Sequence, residues 1–160
     1  MPGFKNMDID AHDGVDFVGD VSDLSRFKDC SIAEIFASNI LEHFPHRDTL
    51  KVLREWHRVL EPGGKLYVSV PDFARAVELY KKFGLKDWIQ NFLCGDQEYK
   101  TAFHYAIFDT DKLLDVLKHA GFSKVERIGG TFPIANPKDC SNMTSNADGR
   151  LVCLNVVVIK

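Results

Sequence analysis

No apolar run in this 160-residue chain approaches the about 20 residues that a membrane-spanning helix needs. Its first residues, MPGFKNMDID, also lack the basic-then-apolar build of a secretion signal. Net charge is only −3, which gives no electrostatic footprint for nucleic acid or an anionic membrane. Cys30, Cys94, Cys140 and Cys153 are scattered without a CxxC pair. That is the pattern of reduced thiols in a cytoplasmic protein, not of a disulfide framework. Two catalytic signatures are missing as well. There is no G-x-G-x-x-G run for a dinucleotide and no G-x-S-x-G nucleophile elbow. What is present is 45% hydrophobic and 27% charged, the mix of an ordinary globular domain. Its length suits a single domain over residues 1–160 with a real core.

The most informative stretch runs from Ile32 to Phe73. Ile32, Ala33, Ile35, Phe36 and Ala37 make a short apolar run with one charge, which suits a strand buried in a parallel sheet. Asp48 is placed to cap a helix whose apolar positions Leu50, Leu53, Trp56, His57 and Leu60 keep helical spacing. Glu61-Pro62-Gly63-Gly64 should end it, and Leu66, Val68 and Val70 open a second strand stopped by Pro71-Asp72. A strand–helix–strand unit of this kind is a right-handed parallel crossover. Ligands of such sheets bind beyond the carboxyl ends of the strands. Here those ends are Ser38–His43 and Ser69–Phe73.

Three segments in this stretch, Ala37-Ser38-Asn39-Ile40-Leu41-Glu42-His43, Arg58-Val59-Leu60-Glu61-Pro62-Gly63-Gly64 and Val70-Pro71, stand in order at compatible spacing. They resemble the second half of a class I S-adenosylmethionine-dependent methyltransferase. The resemblance implies an α/β, Rossmann-like sheet, mostly parallel, with the last strand antiparallel. It implies S-adenosylmethionine as cofactor and a small molecule or sugar as substrate. In the family an acid at the end of the second strand holds the cofactor ribose, and Asp8 matches it. Residues after the third strand flank the adenine, and Asp20 and Val21 match those. Ser38 and Asn39 lie where a strand end meets the cofactor.

The remaining chain reads simply. Val15–Val18 is a short strand, after which Gly19–Leu24 leads into a helical turn. Asp72 can cap a helix broken near Gly84, and Trp88–Leu93 lies in another. Leu113, Leu114, Val116, Leu117 and Ala120 line one face of a helix closed by Gly121. Lys124–Ile128 and Leu151–Ile159 are the last strands. Between them, Pro133–Gly149 is a long polar loop, and loops of that size usually carry function or are disordered.

Methyl transfer to a hydroxyl benefits from a base, and His suits that work near neutral pH. His43, directly after the Glu42 carboxylate at a strand's carboxyl end, is the first candidate, and Glu42 is counted with it among the catalytic candidates. His104, in the polar loop after the second helical stretch, is the other. His43 and His46 form an HxxH pair, but with no third ligand the sequence specifies no metal site.

The family's glycine-rich loop after its first strand has no counterpart here. Phe4–Asp8 instead resembles the approach to the second strand, so the resemblance implies an N-terminally truncated sheet. The missing strand would lie between the second strand and Ile32–Ser38. An open slot should not persist there, since each buried, unpaired backbone group costs about 1–3 kcal/mol. The expectation is that Phe4–Ile9 shifts to pair directly with Ile32–Ser38. A strand donated by another chain, or a homodimer closing the gap, are the alternatives. Direct pairing would remove the floor of the methionine pocket and leave cofactor binding weak or lost. A non-catalytic binding or assembly protein on the same scaffold is the other functional reading.

Overall fold

The computed structural model describes residues 3–160. Six strands and four α-helices follow in order: β1 (Met7–Asp8), β2 (Phe17–Val18), β3 (Ile32–Ser38), α1 (Thr49–Val59), β4 (Leu60–Pro71), α2 (Phe73–Phe83), α3 (Asp87–Cys94), α4 (Thr110–Ala120), β5 (Lys124–Ile128) and β6 (Cys153–Ile159). The main sheet has the order β3-β4-β6-β5. Strands β3 and β4 pair in parallel, and β6 runs antiparallel to both β4 and β5. The expected α/β, Rossmann-like arrangement with an antiparallel last strand is therefore present.

Alternation along the strands separates two faces. Ala37, Leu66, Val68, Val70, Leu154, Val156 and Val158 belong to one apolar cluster with Val52, Leu53, Trp56 and Val59 of α1 and Leu113, Val116 and Leu117 of α4. Each such side chain, taken fully from water, contributes about 1.5–3 kcal/mol. The opposite face holds Phe36, Tyr67 and Val157 against Phe132, just before the long loop, the rings meeting edge-on at 5.5 and 5.7 Å. Helices α2 and α3 pack Leu79 and Ile89 on Val152 and Cys153 at the sheet's end.

Local chemistry fixes the element ends. The Asp72 carboxylate accepts from the amides of Ala74 and Arg75, and that of Asp109 accepts from Lys112 N. Asp48 does occupy the N-cap of α1, but its side chain caps nothing. The Glu61-Pro62-Gly63-Gly64 segment is a bulge inside β4, not a turn before it, and the register jumps between Ile32↔Leu60 and Glu34↔Lys65. Gly64 is required there, because a Cβ would stand 2.9 Å from both Ala33 O and Glu61 O. The segment Ser22–Leu24 makes turns and no helix.

Direct pairing of Phe4–Ile9 with Ile32–Ser38 does not occur. Strand β1 pairs in parallel with β2 alone, as a separate two-stranded sheet. Among the described residues, no strand lies on the outer edge of β3. The expectation assumed that this edge would be buried. Instead Ala33 is exposed and Ile32, Glu34, Ile35 and Phe36 are only half-buried, so water can satisfy the edge. The small sheet is held across the gap by α1. Leu24 N donates to Glu55 Oε1 at 2.9 Å, Trp56 Nε1 to Val21 O at 2.9 Å, and Arg58 to the carbonyls of Leu24 and Phe27.

Candidate functional site

The gap between the two sheets is a cavity of about 1070 Å³. Met7 and Asp8 of β1, Ile32–Ser38 of β3, Val21 and Trp56 line it, with Asn136 and Asp139 arriving from the long loop. Asp8 and Ser38, each at the carboxyl end of its own strand, thus line one cavity. The Asp8 carboxylate accepts from Asp10 N at 3.0 Å and lies 3.4 Å from His12 Nε2. The amide holds its pKa below the usual carboxylate value, with His12 adding to the effect. It is ionised at neutral pH and half-exposed toward solvent.

Not every predicted residue joins it. Val21 lines the cavity, but Asp20 is exposed outside it and its carboxylate accepts from Ser22 N at 2.8 Å. Asn39, at φ 52°, is also outside. Its side-chain oxygen accepts from Ser69 Oγ at 3.3 Å, and its amide donates to Cys153 Sγ at 3.7 Å. Asp139 was missed. Its carboxylate accepts from Ser38 Oγ at 2.6 Å and from Ser141 N at 2.8 Å, a link across 101 positions. The length and polarity of Pro133–Gly149 marked the segment, but nothing in it singled out Asp139.

A second group lies just beyond β3. A 3₁₀ turn, Leu41–His43, follows the strand and buries Glu42 completely. The loop 95–106 closes on it, with Tyr105 N and Ala106 N both donating to Glu42 O at 2.8 and 3.1 Å. Gly95 permits that closure: at φ 77° it passes so near Ala102 O that a Cβ would sit 1.8 Å from it. The result brings His104 to His43, ring centroids 4.8 Å apart and nearly perpendicular. His43 Nδ1 lies 3.0 Å from Phe103 O, and His104 Nδ1 3.2 Å from Phe92 O.

Among the described residues, no donor reaches either carboxylate oxygen of Glu42. Burial pushes its pKa up to about 8, while Asn39 is near enough to oppose the shift. Its neighbour His104 is held below the ordinary histidine value by burial first and by His43 next. The three predicted catalytic residues therefore converge, although Glu42 and His104 are 62 positions apart in sequence. His46 is exposed and stands outside the group.

The fold is that of the class I S-adenosylmethionine-dependent methyltransferases. Residues 5–68 match the family model described as a methyltransferase domain. Solved structures agree on the architecture. A SAM-dependent methyltransferase from Archaeoglobus fulgidus superimposes with a TM-score of 0.56 at 12% identity, covering 89% of this chain and 66% of its own. One from Methanosarcina mazei gives 0.57 at 19%, covering 94% and 72%. The Burkholderia thailandensis 1,6-didemethyltoxoflavin-N1-methyltransferase, solved with its acceptor and S-adenosylhomocysteine, gives 0.57 at 16%, covering 96% and 59%. This chain thus spans about two thirds of the length of these structures. No curated protein matches the sequence. No helix among the described residues is long and apolar enough to cross a membrane.

Proposed function

We propose that the chain acts as an S-adenosylmethionine-dependent methyltransferase on a small molecule or sugar. One observation carries the reading. Asp8 and Ser38 stand at the carboxyl ends of two strands lining one cavity, and Glu42 and His43, joined by His104, follow shortly after the second of those strands. Asp8 would accept both vicinal hydroxyls of the cofactor ribose, which an ionised carboxylate does well. Val21 would pack beside the adenine, and Ser38 with Asp139 would border the methionine end. Transfer needs the acceptor atom held near about 3 Å from the sulfonium methyl with water kept out. His43 is placed to take a proton from an acceptor hydroxyl, with His104 as its neighbour.

Calorimetry with S-adenosylhomocysteine tests this. Asp8→Asn should weaken binding by about 1.5–3 kcal/mol, the range for hydrogen bonds to a charged group. Equal affinities would remove Asp8 from the site. Absence of binding by either protein would favour the non-catalytic scaffold reading.

The alternative occupant of the same cavity is a strand from a second copy of the chain, which would exclude the cofactor from it. A strand occupies about 160 Å³ per residue, from a rise of about 3.3 Å, a spacing of about 4.8 Å and a layer of about 10 Å. The cavity therefore matches a segment about as long as the 7 residues of β3. Light scattering should then report a dimer, and a monomer at every concentration would discard this alternative. Four unpaired thiols, one of them buried, suit a reducing cytoplasm.

A further inference from the structure

Glu42 poses a problem that its place in the methyl-transfer reading does not solve. A carboxylate with 0% exposure and no hydrogen-bond donor on either oxygen is costly to fold around. Among the described residues no Lys or Arg forms an ion pair with it. Buried carboxylates are otherwise found paired or coordinating a cation.

Two imidazole rings stand beside it. One ring nitrogen from each of His43 and His104 and one Glu42 oxygen all lie within 4.8 Å of one another. Both Nδ1 atoms face backbone carbonyls, those of Phe103 and Phe92, which fixes each as an N–H donor. The lone pair of each ring is then on Nε2. A metal-bound histidine almost always anchors its other nitrogen in this way.

We propose that Glu42, His43 and His104 form a binding site for a first-row divalent transition-metal ion. Two imidazoles and one carboxylate favour zinc, cobalt, manganese or iron over calcium or magnesium, which prefer oxygen alone. Ligands about 2.1 Å from one ion are about 3–3.5 Å from each other, so the most separated pair must close by about 1.3–1.8 Å. The exposed His46 is not part of the site. The remaining coordination positions of a three-ligand site stay open to water or an acceptor oxygen. The inference does not depend on cofactor binding, and it replaces the free-base role of His43 in the methyl-transfer reading, because a metal-bound Nε2 has no lone pair left to accept a proton.

Titration of the metal-free protein with Co²⁺, followed by its visible ligand-field absorption, tests the site without cofactor or acceptor. One equivalent should bind and be displaced by Zn²⁺. Glu42→Gln and His104→Asn should each weaken Co²⁺ by at least about 100-fold, while His46→Ala leaves it unchanged. Co²⁺ should raise the melting temperature of the wild type but not of Glu42→Gln. Loss of that rise separates a ligand from a mere packing residue. If the wild type takes up no Co²⁺, or Glu42→Gln and His104→Asn both bind it like the wild type, the site does not exist. An intact Co²⁺ spectrum without S-adenosylhomocysteine binding would sink the methyltransferase reading and leave the metal site standing.

Discussion

The indole Nε1 of Trp56 donates to the carbonyl of Val21 at 2.9 Å, joining α1 of the main sheet's core to the segment that follows β2. Trp56 is 2% exposed, so this bond spans the two sheets from inside the core. No strand-to-strand ladder joins the sheets among the described residues, which leaves α1 as the tether.

Trp56→Phe keeps most of the packing and deletes only that bond, so it should cost about 1 kcal/mol of unfolding free energy. Trp56→Ala should cost about 3–5 kcal/mol, because it opens a void as well. Urea unfolding monitors both. Hydrogen exchange in Trp56→Phe should accelerate at Met7–Val18 before it does in β4 or β6, and uniform acceleration would deny the tether.

With an acceptor hydroxyl in hand, His43→Ala should lower turnover by about 10²–10⁴-fold while S-adenosylhomocysteine affinity barely moves. His104→Ala is the comparison. If His104→Ala alone abolishes transfer, the roles of the two imidazoles are exchanged.

Gly95→Val should pull the loop carrying His104 away from His43. The φ of 77° disfavours any side chain, by about 1–2 kcal/mol, and the Ala102 carbonyl occupies the Cβ position. Global unfolding should change less than the separation of the two imidazoles, which the NMR shifts of their ring protons report. A His43 resonance unaltered by Gly95→Val would show that the loop closes by other means.

Acid should loosen the long loop in a defined window. Arg75, 7% exposed, pairs with Asp148 and holds that carboxyl down to about 2, with Arg150 helping. A depressed carboxylate contributes stability that is full above its unfolded value of 3.8 and lost as pH falls through about 2. Melting temperature should therefore drop between those values, and Asp148→Asn should flatten the drop. An unchanged profile in Asp148→Asn would assign the acid sensitivity elsewhere.

Periodicity and caps made the main sheet legible. Ile32–Ser38, the stop at Pro71, the capping acids Asp72 and Asp109 and the Gly121 end of α4 are all readable from local residue chemistry. Glu61–Gly64 was misread because a Pro-Gly-Gly run signals a turn, whereas β3 continues beside it and turns it into a bulge. The open slot was misread for a different reason. Whether an edge is buried depends on packing that no local pattern encodes. Glu42 and His43 could be singled out because they follow a strand end. That His104 returns to them depends on the fold of residues 95–104, which Gly95 permits but its single letter does not announce. The Ser38–Asp139 bond is the extreme case, since serine and aspartate in a polar loop look like every other solvated pair.

The position of β6 sets the order in which this molecule can be made. It is the last strand in sequence, yet it lies between β4 and β5 and pairs with both. Until Cys153–Ile159 have left the ribosome, β5 has no neighbour and one edge of β4 is bare. A nascent chain can form the β3–α1–β4 unit early, but it must hold two sticky edges apart until its final segment is inserted between them. The core is thus completed only when β6 docks, and the interval before that is when the chain is most exposed to misassociation with its own copies.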